Sequence, residues 1–224
     1  MEGVLAQSPL FAALDEESAA SLEAAMTRRT LARGHVVFRE GDTGDRLFVV
    51  LEGKVKISRA ASDGRENLLA VLGATEMFGE LSLFDPGART ATVTTVTESV
   101  LASLDHDDLR PLLIERPGVA VHLLQALALR LRRTNEAMAD LVFTDVPGRV
   151  AKALLDLAER FGVPEGDGTR VRHDLTQEEL AQLVGASRET VNKALSEFAH
   201  RGWLRTEGRS VVLLEPERLA RRAR

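Results

Sequence analysis

With 224 residues, 44% of them hydrophobic, and a mean hydropathy near zero, the chain carries enough apolar material for one large globular domain or two modest ones. No apolar run approaches the ~20 residues that span a bilayer, and MEGVLAQSPLFAAL lacks the basic region and cleavage site of a secretory signal, so a cytoplasmic protein with no membrane partner is expected. The lack of cysteine excludes disulfides, thiolate zinc sites and cysteine-held iron–sulfur clusters, and His35, His106, His122, His173 and His200 are too scattered to suggest a metal site. The net charge of −5 is uneven, minus six over residues 1–144 and plus one over 145–224. A relatively basic second part ending in RLARRAR hints at a polyanion, although terminal basic runs are usually just solvated.

In chain order, LFAALDEESAASLEAAM has apolar residues at helical spacing, with Asp15 placed as a cap. Eight of the 17 glycines then fall between Gly34 and Gly87, punctuating HVVF, RLFVVLEG, KVKIS and NLLAVL; TATVTTV and SVLASL follow. Short strands with a turn signal between each predict a compact β-barrel or roll. Within it, EMFGELSLFDPGARTATV puts a carboxylate (Glu80), a guanidinium (Arg89), a hydroxyl (Thr90) and a Pro86–Gly87 turn within a dozen residues of Gly79. One reading is a ligand site; the other is a structural salt bridge between Glu80 and Arg89 that closes the roll.

From Pro117 to Phe143 the pattern predicts one long helix. Leu124, Leu131 and Met138 recur every seven residues, with Leu127, Thr134 and Leu141 offset by three. Such a stripe either lies on the roll or pairs with a second copy of itself, and the polar couple Thr134–Asn135 at the seam favours pairing. TDVPGR then breaks the helix at a Pro-Gly pair, as an interdomain hinge would. After it come the helix VAKALLDLAERFG, a loop ending in VRHDL, two closely spaced helices, and RTEGRSVVLLE, a hairpin turning at Glu207–Gly208.

LTQEELAQLVGASRETVNKALSEFAHRGWL has the anatomy of a helix-turn-helix. Thr176 and Glu179 form a capping box, Gly185 permits the turn, and Ser187 caps the second helix. On that helix Val191, Ala194, Leu195 and Phe198 share one arc, whereas Arg188, Glu189, Asn192 and Lys193 share the opposite one. Arg offers a fork to guanine and Glu an acceptor to cytosine, so this outward set suits base reading. The competing reading is a solvated face with a Glu189–Lys193 pair; the caps, the turn length and the following hairpin, suited to be a wing, favour DNA.

GASRETVNKAL and FGELSLFDPGARTAT together resemble the cAMP receptor protein and fumarate-nitrate regulator (CRP/FNR) superfamily of bacterial transcription factors, over nearly the whole chain. GDRLFVVLEGKVKI, DGRENLLAVLG, FTDVPGRVAK and LTQEELAQLVGASRETVNKAL are similar more narrowly to its actinobacterial cAMP receptor protein group. The resemblance implies an α+β chain: a cyclic-nucleotide β-roll over residues 1–116, a dimerisation helix and hinge over 117–144, and a winged helix-turn-helix over 145–224. It implies cAMP as allosteric effector, held by Gly79, Glu80, Leu81, Ser82, Arg89 and Thr90. Arg89 and Thr90 would meet the phosphate and Glu80 the ribose hydroxyl, with Arg130 near the phosphate and Thr134 and the partner's copy of Asn135 at the adenine. It further implies a homodimer on double-stranded DNA. Arg188, Glu189 and Lys193 would read bases; Thr176, Ser187 and Thr190 would touch phosphates, and Gln177 would also contact DNA. RNA polymerase is an implied partner at activated promoters. A regulator answering to another effector such as cyclic di-GMP, or to none, and an architectural DNA binder are the alternatives. No nucleophile motif, carboxylate pair or phosphate-loop pattern points to an enzyme.

Overall fold

The computed structural model describes residues 6–8, 11, 14–61, 64, 66–85 and 87–223. Leu10, Ala12 and Ala13 of the expected first helix, Asp63 and Arg65 of the DGRENLLAVLG motif, Pro86 of the expected turn and Arg224 of the basic tail lie outside them. Residues 1–59 and 70–133 form one compact unit, and residues 60–69 and 134–224 a second.

Of the elements described in the first unit, helix α1 spans Glu16–Ala25. Asp15 takes its N-cap, as expected, and accepts from the Ser18 N–H at 2.8 Å. Strands β1 (Thr27–Leu31), β2 (Val36–Phe38), β3 (Arg46–Glu52), β4 (Val55–Ala60), β5 (Glu66–Leu72), β6 (Met77–Phe78), β7 (Thr92–Thr95) and β8 (Ser99–Asp105) form the expected roll from two four-stranded sheets. Their orders are β1-β8-β3-β6 and β2-β7-β4-β5. Alternation along β3 builds two cores at once: Leu47, Val49 and Leu51 pack with Leu22, Leu104 and Leu109, while Val50 faces Ile57, Phe78 and Leu101 inside the roll.

Between β6 and β7 lies the single turn α2 (Leu81–Phe84). Helix α3 (His106–Glu115) was not predicted, since Pro111 in its interior removes a backbone donor and reads as a breaker. Burial of Leu109 holds it on the roll nonetheless. Helix α4 (Pro117–Phe143) has the predicted bounds. Its Val119 and Leu123 are buried with the roll core, whereas Leu124, Leu131 and Met138 are 60%, 61% and 63% exposed. Leu124 and Leu131 of the predicted stripe are therefore not part of the roll core that Val119 and Leu123 join.

In the second unit α4 breaks at Thr144–Asp145, and helix α5 (Val146–Phe161) begins at once. Pro147 and Gly148 sit inside the first turn of α5 and do not themselves break the helix, because proline lacks only an N–H that the first turn leaves unbonded. Asp145 caps α5, accepting from Gly148 N–H at 2.9 Å and from Arg222 at 2.5 Å. Strands β9 (Gly162–Glu165) and β10 (Gly168–Val171) form a hairpin where a loop was expected; Pro164 and three nearby glycines conceal it. Helices α6 (Gln177–Leu183) and α7 (Arg188–His200) follow, then β11 (Leu204–Glu207) and β12 (Ser210–Leu213), giving a sheet of order β11-β12-β10-β9. Because Glu207 pairs with Ser210, the hairpin turns at Gly208–Arg209, one residue later than expected. The basic tail forms helix α8 (Pro216–Arg222), anchored by buried Leu219.

Candidate functional site

A cavity of about 340 Å³ opens in the first unit between α2, the start of β7 and the roll interior, within the size range of small-ligand sites. Its lining brings together Gly79, Glu80, Leu81, Ser82, Arg89, Thr90 and Arg130. Gly79 leaves β6 with φ +82°, and a Cβ there would lie 2.8 Å from both the Arg46 carbonyl oxygen and Arg89 Nη1. Only glycine fits that passage without displacing backbone. The Gly79 carbonyl accepts from Arg89 Nη1 at 3.0 Å and from Ser82 Oγ at 3.1 Å; Arg89 Nη1 also donates to Ser82 Oγ at 3.0 Å, and Nη2 to the Arg46 carbonyl at 2.9 Å.

Arg89 is thus 6% exposed with hydrogen bonds only to neutral oxygens, and its guanidinium lies over the Phe38 ring, 4.2 Å from the centroid. Burial pushes its pKa below the usual arginine value, with Asp45, Glu80 and Asp42 opposing the shift through space. An arginine stays charged even so. Glu80, 2% exposed, pairs through Oε1 with Arg130 Nη1 at 3.0 Å and not with Arg89, so the structural bridge weighed on sequence is not formed. Glu80 Oε2 and Arg89 Nε are buried without a hydrogen-bond partner among the described residues. Buried polar atoms are ordinarily paired. A spare anionic acceptor beside a spare cationic donor fits a sugar phosphate, which brings a hydroxyl to the one and an anionic oxygen to the other.

Leu81 and Thr90 are exposed at the cavity rim. Thr134 and Asn135, one turn beyond Arg130 on α4, are also exposed and do not belong to this lining. Sequence reasoning missed Phe38 and the field of Asp42 and Asp45. Alternation in HVVF put Phe38 on the same face as Val36, which was the available signal.

In the second unit Thr176 and Glu179 form the predicted capping box, and Thr176 Oγ1 additionally donates to Glu179 Oε2 at 2.9 Å. Val184 to Ser187 make the turn, with Gly185 at φ +63°. Ser187 caps α7 by accepting from Thr190 N–H at 3.2 Å. Arg149 of α5 secures the joint, donating to the carbonyls of Val184 (2.8 Å), Gly185 (3.1 Å) and Thr144 (2.8 Å). Val191, Ala194, Leu195 and Phe198 are buried in the core, while Gln177, Ser187, Arg188, Glu189 and Lys193 are exposed and Thr176 and Thr190 half-buried. Asn192 departs from the expected outward set: it is half-buried and its Oδ1 is enclosed, because residue 192 adjoins the buried arc of Val191 and Leu195. Arg188 stands in the first turn of α7, where the helix dipole disfavours a cation. A local cost of that kind is what a polyanion-binding surface tolerates.

Two family models match the chain. A cyclic nucleotide-binding domain matches residues 28–116, and a Crp-like helix-turn-helix domain matches 148–222. A CRP-like cAMP-activated global transcriptional regulator of Mycobacterium tuberculosis is 58% identical over 224 residues, all of both chains. The chain belongs to the CRP/FNR superfamily of transcription regulators, in its actinobacterial cAMP receptor protein group. A cyclic AMP receptor protein of Thermus thermophilus is 38% identical over 213 residues, 93% of this chain and 95% of the relative. Among solved structures, the c-di-GMP responsive global regulator CLP of Xanthomonas campestris superposes with a TM-score of 0.73 at 30% identity, over 89% of this chain and 99% of that one. The protein is a DNA-binding regulator, and its matched domains are those of transcription factors, not of enzymes.

Proposed function

We propose that this regulator is a cAMP-responsive homodimer, working in the cytoplasm, that binds a palindromic operator and activates or represses according to operator position. The observation carrying the effector reading is Arg89, a buried cation with neutral partners beside a buried carboxylate with a spare oxygen. One guanidinium suits the single charge of a cyclic mononucleotide, with Thr90 and Arg130 supporting the phosphate and Glu80 taking the ribose 2′-hydroxyl. Ser82 steadies Arg89, and Leu81 covers the rim. Two relatives named for cAMP support the choice of nucleotide.

The exposed Leu124, Leu131 and Met138 stripe would pair with its copy in a second chain, aligning Thr134 and Asn135 along the seam, where one chain's Thr134 and the other's Asn135 would meet the adenine. Residues 1–116 would then sense the effector, 117–144 pair the chains, and 145–224 read DNA. In each protomer Arg188, Glu189 and Lys193 would meet base edges, with Thr176, Gln177, Ser187 and Thr190 along the phosphates and the β11–β12 hairpin as wing. The two recognition helices would lie about 34 Å apart. RNA polymerase would be met at activated promoters.

Effector and operator must then strengthen each other reciprocally. Fluorescence anisotropy at fixed salt, using duplexes selected from random DNA by the wild-type protein, tests this. Operator affinity should change on adding cAMP and should not follow cyclic di-GMP; an affinity indifferent to cAMP would remove the reading.

A further inference from the structure

His173 takes no part in either site above, yet it is 5% exposed. It lies in the segment 172–175, which leaves β10 and enters the N-cap of α6 at Thr176. The Leu175 N–H donates to His173 Nδ1 at 3.1 Å, a bond across two residues with the geometry of an Asx turn. The chain thereby folds over Asp174, held at φ +59°, a left-handed conformation that costs a non-glycine residue. So turned, the Asp174 N–H donates to the Arg209 carbonyl at 3.0 Å. Arg209 is at the tip of the β11–β12 hairpin, beside Gly208 at φ +61°. The hairpin tip is therefore tied to the residue two places before the cap of the first helix of the pair. Leu175, 1% exposed, fixes the segment to the core.

We infer that His173 is a positioning residue for DNA binding: by accepting the Leu175 N–H it holds the strained turn at Asp174, and through it the wing tip, at a set place beside the two helices. The wing and the recognition helix then meet neighbouring stretches of one duplex together. The inference rests on the reading of the β11–β12 hairpin as a wing. What the turn requires is an acceptor attached directly to Cγ. The Oδ1 of asparagine stands where the Nδ1 of histidine does; the Oε1 of glutamine is one bond too far, and leucine has no acceptor.

The test uses the full-length protein with duplexes selected by the wild type, compared by anisotropy, hydroxyl-radical footprinting and hydrogen exchange at the Asp174 amide. His173→Leu and His173→Gln should bind roughly tenfold more weakly, in keeping with one lost positioning hydrogen bond. Both should lose backbone protection flanking the recognition-helix footprint and exchange Asp174 faster. His173→Asn should restore all three readouts, and cAMP affinity without DNA should be the same throughout. Flanking protection and affinity kept in His173→Gln or His173→Leu would overturn the inference, as would a folded His173→Asn that restores nothing. A wild-type footprint without flanking protection would instead remove the wing reading, and the inference with it.

Discussion

The two candidate functional regions of this regulator are built on opposite principles. The cavity around Arg89 relies on burial: Glu80 and Arg89 are almost fully enclosed, so their hydrogen bonds are made in a poorly screened setting and an unmatched atom carries weight. The α6–α7 pair works by display: Arg188, Glu189 and Lys193 stand in solvent, and what is buried is the scaffold that aims them, namely Val191, Leu195 and Phe198 with two capped helix starts. A buried site fails through small changes of shape. An exposed one fails through loss of a contact, with the fold untouched.

Gly79→Ala should separate the two most sharply. A Cβ 2.8 Å from the Arg46 carbonyl and from Arg89 Nη1, at φ +82°, forces strain of about 1–3 kcal/mol together with displacement of Arg89. Calorimetric melting should show a destabilised first unit and titration should show lost cAMP binding, while the isotherm for selected DNA without effector changes little. Unaltered cAMP affinity would mean that the close approach at residue 79 is dispensable. Arg188→Ala should do the reverse, weakening operator binding by about 1–3 kcal/mol and relaxing preference at one base position, with cAMP affinity in the absence of DNA unchanged. Melting should not fall, since the cation opposes the α7 dipole. A binding selection that returns the wild-type motif would deny Arg188 its reading role.

The smallest effect belongs to the capped joint at Asp145. Its carboxyl is held below its ordinary 3.8 first by the Arg222 hydrogen bond, then by the Gly148 N–H. A depressed folded-state pKa contributes stability that is full above the unfolded value and is lost as pH falls through the folded one. Asp145→Asn should therefore lower stability near pH 7 by ~0.5 kcal/mol or less, given the exposure of the pair, and the difference from the wild type should fade as pH falls below about 4. An equal loss at pH 7 and pH 3 would place the contribution in the cap geometry and not in the charge.

Legibility in the sequence followed the same contrast. The display surface could be read almost entirely, because caps, glycine turns and helical arcs are local: Thr176, Glu179, Gly185, Ser187 and the buried arc stand as expected. Only Asn192, on the boundary between arcs, turned partly inward. The roll was legible as strands, yet α3 was hidden by Pro111, and the β9–β10 hairpin by Pro164 and its glycines, since those residues signal breaks whether or not tertiary packing overrides them. In the cavity the residue types were evident, but their partners were not. That Glu80 would take Arg130 from α4, and that Arg89 would be held by the carbonyls of Gly79 and Arg46 against Phe38, depends on contacts 10 to 51 residues apart. No local pattern encodes such pairings.

Isothermal titration of the full-length protein with cAMP, comparing the wild type with Arg89→Ala, addresses most directly the claim that a buried guanidinium anchors the effector's phosphate. The wild type should bind with a clear heat and the variant should lose about 2–5 kcal/mol of affinity, the usual cost of truncating one side of a buried charged hydrogen-bonded pair. A wild type that gives no binding, or a folded Arg89→Ala that binds cAMP equally well, would contradict it.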